Sequence, residues 1–152
     1  MDASLRRRFV ALLVGLAAAS LLPSRAARAQ ADPFAALLKQ VTGGATVRQG
    51  RVTVDTPRLA DNGHSVPLTV SVESPMTAAD HVRSITLLSE RNPRPLMATF
   101  HLGPKAGRAE VTTRVRLNGT QRVLAVAHVS DGTYWSGIAA VEVTESACLD
   151  MG

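Results

Sequence analysis

The sequence predicts an all-β protein, an immunoglobulin-like antiparallel β-sandwich of about seven strands with a short helix before it. Three observations lead there. From Thr46 to Thr144 apolar residues recur with period two and are rich in β-branched side chains. Turn clusters interrupt this pattern every eight to fifteen residues. No segment of helical period lies between the strands to serve as a crossover. A small barrel is the other architecture that such a pattern allows.

The first thirty-one residues stand apart from that pattern. A basic start (Arg6, Arg7, Arg8), an apolar run from Phe9 to Leu22 and small residues at Ala27, Ala29 and Ala31 make the three parts of a secretory signal. The apolar run is about fourteen residues, short of the roughly 20 that span a bilayer, so a removed signal is predicted rather than an anchor. Arg6, Arg7 and Phe9 fit the twin-arginine pattern, with a general secretory signal as the alternative. Either route leaves the cytoplasm, and the predicted address is the periplasm. Removal of residues 1–31 also changes the charge. The full chain carries +5, but from Asp32 onward there are 12 Lys and Arg against 11 Asp and Glu, a net +1. A nucleic-acid partner would need a basic surface, and none is indicated.

Residues 32–144 are read as the folded domain. Asp32 and Pro33 suit a helix start, Phe34, Leu37, Leu38 and Val41 share one face, and Gly43 and Gly44 end it. That apolar face must lie against something, either the chain's own sandwich or a partner subunit. The predicted strands are Val47 to Val54, Ser65 to Glu73, Val82 to Ser89, Leu96 to Leu102, Ala109 to Leu117, Arg122 to Val129 and Tyr134 to Val143. Between them lie turn signals at Asp61-Asn62-Gly63, Ser74-Pro75, Asn92-Pro93, Gly103-Pro104, Asn118-Gly119 and Asp131-Gly132. The run from Val123 to Val129 is nearly all apolar and reads as a central strand.

Chemistry-bearing residues are sparse. His64, His81, His101 and His128 are never two, three or four apart, so no metal site is predicted. Carboxylates are dispersed and no glycine-rich loop opens a helix, so neither a cofactor nor catalysis by the isolated chain is indicated. Cys148 is the single cysteine, and in an oxidising compartment it is either a free thiol or an intermolecular disulfide. It lies four residues beyond Thr144, so an extended arm over residues 145–152 would hold its sulfur ~13 Å from the sheet. Its local neighbours Glu145 and Asp150 disfavour a thiolate, which argues against a self-activated nucleophile.

Several segments together resemble the SoxY family of sulfur carriers in periplasmic thiosulfate oxidation. They are Asn62-Gly63-His64-Ser65-Val66-Pro67, the run from Ser74 to Val82, Asn92-Pro93 with Pro95, Thr113 to Leu117, and Ala125-Val126-Ala127 before Asp131-Gly132. The resemblance covers Phe34 to Cys148. It implies an immunoglobulin-like sandwich and assigns covalent sulfur attachment to Cys148. It also implies a SoxZ-like β-sandwich partner and three visiting enzymes: a haem-containing enzyme that attaches thiosulfate, a manganese hydrolase that releases sulfate, and a sulfur dehydrogenase. The tail departs from the family's Gly-Gly-Cys-Gly-Gly, because Ser146, Ala147, Leu149 and Asp150 flank the cysteine. A noncatalytic scaffold whose altered tail no longer carries sulfur is therefore the alternative.

Overall fold

The computed structural model describes residues 32–147. They form an immunoglobulin-like β-sandwich with one α-helix and, among the described residues, nine strands. Helix α1 is Phe34–Thr42, and the strands are β1 Val47–Gln49, β2 Val52–Asp55, β3 Leu59–Asn62, β4 Val66–Val72, β5 Val82–Ser89, β6 Leu96–His101, β7 Ala109–Val115, β8 Gln121–Val129 and β9 Tyr134–Glu145. The larger sheet runs β1-β9-β8-β5-β6, with β3 also on β9; the smaller runs β2-β4-β7.

The count exceeds seven for a physical reason. The first predicted strand breaks at Gly50 and Arg51, both at positive φ (106° and 56°), and so supplies β1 to one sheet and β2 to the other. The chain then returns as β3, where a turn was expected at Asp61 and Asn62. Both β1 and β3 pair in parallel with β9, at Val47↔Tyr134 and Asn62↔Glu145, so the sandwich is not wholly antiparallel. Strands that cross between sheets need no hairpin, and their direction is free to match β9.

Gly137 permits the crossing. A Cβ there would stand 2.2 Å from the Val52 carbonyl oxygen, so only glycine lets β2 pass over β9. Between the sheets lies the main core, in which Val66, Leu68, Val70, Val82, Ile85, Leu87, Val123 and Ala125 are almost fully buried.

Strands β5 and β8 bury both faces, as the apolar run of β8 predicted. Their outer side chains Leu88, Leu124 and Val126 meet Phe34 of α1, while Leu37, Leu38 and Val41 pack at the rim. Phe34 on the apolar face of α1 is thus covered by the chain's own sheet, one of the two alternatives that the sequence left open. The Asp32 carboxylate caps the helix by accepting the Phe34 amide at 3.1 Å, and it stands 3.6 Å from Arg122. The Arg122 guanidinium lies over the Phe34 ring at 5.3 Å and donates two bonds to Glu90, of 2.9 and 3.0 Å. The Arg122 guanidinium holds the Glu90 carboxyl below its ordinary range. At the other end of α1, Gly43 adopts the left-handed conformation that stops the helix.

Because Phe34 is 1% exposed, Phe34→Ala is expected to cost about 3 kcal/mol. Urea unfolding followed by circular dichroism measures this, with an unchanged m-value expected because the sandwich itself stays intact.

Candidate functional site

The chain leaves the sandwich at the end where β3 and β9 stop, and three segments clasp each other there. The Gly63 amide donates to the Glu145 carbonyl (2.7 Å), the Leu117 amide to the Gly63 carbonyl (2.8 Å), and the Ala147 amide to the Leu117 carbonyl (3.2 Å). Leu117 and Ala147 are both 0% exposed. Gly63 makes the clasp possible, since a Cβ on it would stand 2.1 Å from the Leu117 oxygen and 2.9 Å from the Ala147 nitrogen. This glycine is required by close approach, not by a turn.

A side-chain network stiffens the same end. Asn92 accepts from the Asn118 amide and from Gln121 Nε2, each at 3.0 Å, and donates to the Arg116 carbonyl at 2.8 Å. Gln121 Oε1 accepts the Arg91 amide at 3.0 Å. Ser146 Oγ then donates to Asn118 Oδ1 at 2.9 Å, joining the arm to the network. Thr144 Oγ1 ties β9 to β3 through the Asp61 carbonyl at 2.8 Å. No buried side-chain nitrogen or oxygen among the described residues lacks a partner.

Charge at this end is mixed. Exposed Arg91 donates to the Thr120 carbonyl and exposed Arg114 to the Ser65 carbonyl, with Arg116, Asp61 and Glu145 also exposed nearby. None of the three ion pairs among the described residues involves Arg91, Arg114 or Arg116.

A concavity of about 270 Å³ lies beside α1 on the outer face of the larger sheet. Its walls include Ser84, Thr86, Thr99, Leu96, His128 and Tyr134. His128 stacks on Tyr134 with ring centres 4.5 Å apart. Burial, assisted by Arg83 and opposed by Asp131, lowers the His128 pKa. Among the described residues, no three His, Cys, Asp or Glu side chains gather as a metal site.

The expected site residues divide cleanly. Cys148, Leu149 and Asp150, with Arg6, Arg7 and Phe9, lie outside the described residues. Ser146 and Ala147, expected in a free arm starting at residue 145, are instead docked, and Glu145 belongs to β9. The Leu117 carbonyl takes the Ala147 amide, a partner within the protein that a free arm would lack. The residues missed by sequence reasoning are Gly63, Asn92, Leu117 and Asn118. Three of these sat in apparent turns, and their true role depends on neighbours up to 84 positions away, as in the close approach of Gly63 to Ala147.

Fold and site together define a single immunoglobulin-like sandwich whose C-terminal strand runs out beside a lone cysteine. The family described as sulfur oxidation protein SoxY matches residues 38–148. The chain belongs to the SoxY family. Among solved structures, it is similar to the sulfur carrier protein SoxY from Chlorobium limicola f thiosulfatophilum at 23% identity, with TM-score 0.61, over 71% of this chain and 89% of that chain. It is also similar to a superoxide reductase (neelaredoxin) from Ignicoccus hospitalis at 19% identity, with TM-score 0.55, over 62% and 80% of the respective chains. A superoxide reductase from Nanoarchaeum equitans matches at 12% identity and TM-score 0.53, over 63% of this chain and all of that one (100%). At these identities the structural likenesses establish the fold. No curated protein sequence matches the chain.

His128 gives the fold a pH dependence of defined sign. Its folded pKa lies below the ordinary 6.5, so the unfolded chain takes up the proton first as pH falls. The stability that neutral His128 contributes is present above 6.5 and is lost as pH falls through that value toward the lowered folded pKa. The thermal midpoint should therefore fall from about pH 7.5 to about pH 5.5, and His128→Gln should flatten that slope in differential scanning calorimetry.

Proposed function

We propose that this chain is a carrier of sulfur intermediates in thiosulfate oxidation, holding them covalently on Cys148 for partner enzymes. The observation that supports it most is the extent of the family match, which begins at residue 38 and ends on the cysteine. Cys148 is also the only cysteine in the chain. The SoxY of Chlorobium is described as a sulfur carrier protein, and the same sandwich is present here.

The chemistry asks little of the carrier itself. Joining the Cys148 sulfur to the outer sulfur of thiosulfate forms an S–S bond and releases the thiol proton and two electrons. A haem-containing partner accepts those electrons. Hydrolysis by a manganese partner then frees sulfate and leaves a persulfide on Cys148, and a sulfur dehydrogenase oxidises that remaining sulfur. In this scheme the chain is a substrate-bearing subunit rather than an enzyme, so a base beside the thiol is unnecessary. A SoxZ-like sandwich is the constant partner, and export by the twin-arginine signal over residues 1–31 brings the pair to the periplasm. The half-buried residues Leu37, Leu38 and Val41 at the rim of α1 are the candidate contact for that partner.

One observation favours a second reading. Ser146, Ala147, Leu149 and Asp150 replace the glycines of the family arm, and the carboxylate of Asp150 stands two residues from the attachment point of an anionic group. Under this reading the chain is a scaffold that binds its partners without carrying sulfur.

Intact mass of the protein from cells growing on thiosulfate separates the two. The carrier reading expects an adduct on Cys148 that a reductant removes, and loss of thiosulfate-dependent growth in Cys148→Ser. A bare thiol in every sample, together with normal growth of the Cys148→Ser strain, establishes the scaffold instead.

A further inference from the structure

We propose that Ser146 and Ala147 are a latch that positions Cys148, docking the root of the arm on the sandwich until a partner draws it out. The latch rests on geometry alone; only its use in delivery rests on the carrier reading above.

The arm has two holds. Ala147 donates its amide to the Leu117 carbonyl at 3.2 Å and buries its methyl completely, at 0% exposed. The crevice is sized for that contact, because Gly63 withholds the Cβ that would come within 2.9 Å of the Ala147 nitrogen. Ser146 Oγ donates to Asn118 Oδ1 at 2.9 Å. That acceptor is itself fixed, since the Asn118 amide is bonded to Asn92 Oδ1 at 3.0 Å.

Two glycines at these positions would supply neither the hydroxyl nor the methyl, and they would carry more chain freedom to lose on docking. The side chains that depart from the family's glycine arm are therefore the ones that make the two side-chain contacts. Covalent geometry fixes the consequence for the thiol, since consecutive Cα atoms are about 3.8 Å apart and Cys148 directly follows the anchored Ala147. Lifting residues 146–147 adds roughly 7 Å of reach at 3.3–3.6 Å per residue. Two hydrogen bonds and one methyl are a hold that local opening can break without unfolding the core.

The test uses the mature chain with Cys148 as its natural reporter. Alkylation of Cys148 by iodoacetamide at fixed pH is compared among the wild type, Ser146→Gly and Ala147→Gln, and amide exchange of residue 147 is followed in each. Both substitutions lie outside the two core clusters, and circular dichroism of each variant checks that the sandwich is intact. The latch expects protection of the Ala147 amide in the wild type, loss of that protection in both variants, and alkylation about 2- to 10-fold faster, the factor for one net hydrogen bond. An unprotected Ala147 amide in the wild type, or equal alkylation rates in all three, overturns it. The outcome is independent of sulfur loading, so a chain that latches yet never carries an adduct retains the latch and refutes the carrier.

Discussion

Two close backbone approaches govern how this molecule is put together. At Gly137, β2 passes within reach of β9, and at Gly63, just past β3, the backbone meets both Leu117 and Ala147; a single added carbon would strike a carbonyl oxygen at 2.2 Å in one place and 2.1 Å in the other. Both approaches lie along β9, whose twelve residues pair with β8 over most of their length and with β1 and β3 at the two ends. The crossing at Gly137 holds the two sheets in their relation to each other. The clasp at Gly63 fixes where the chain leaves them.

The outer face of β5 and β8 shows how a small sandwich covers what its second sheet does not. Leu88, Leu124 and Val126 point away from the main core and would be an apolar patch in water, but α1 lies over them through Phe34. Charge pins the helix in place, with Asp32 capping it and facing Arg122 while Glu90 holds the same guanidinium. Exposed pairs of this kind contribute little each. Their value here is directional, because Arg122 also covers the Phe34 ring and so closes the edge of the apolar contact.

The described end of the chain is a rigid sandwich with a short segment beyond β9. The network of Asn92, Gln121 and Asn118 stiffens the end at which β9 stops, so a fixed surface stands beside a segment held by few bonds. Stability is thus graded along β9. It is highest where Val141 and Val143 are buried in the core and lowest at its exposed end, Thr144 and Glu145, next to exposed Ser146.

The sequence by itself determined the period-two strands, the buried central strand β8, the helix at Phe34 and its glycine stop, the single cysteine and its family. Each of these depends on neighbours a few residues apart or on a composition that can be counted. Only the tertiary structure decided that the first strand splits between sheets at Gly50 and Arg51, that Asp61 and Asn62 form a strand, and that the helix face is covered by its own sheet. It also decided that Ser146 and Ala147 are docked. Asn-Gly and Asp-Gly pairs look alike whether glycine makes a turn, as Gly119 and Gly132 do at φ 78° and 85°, or makes room, as Gly63 does. The difference lies in what stands opposite the missing side chain. At Gly63 that is Leu117 and Ala147, 54 and 84 residues away, and no local pattern can register them.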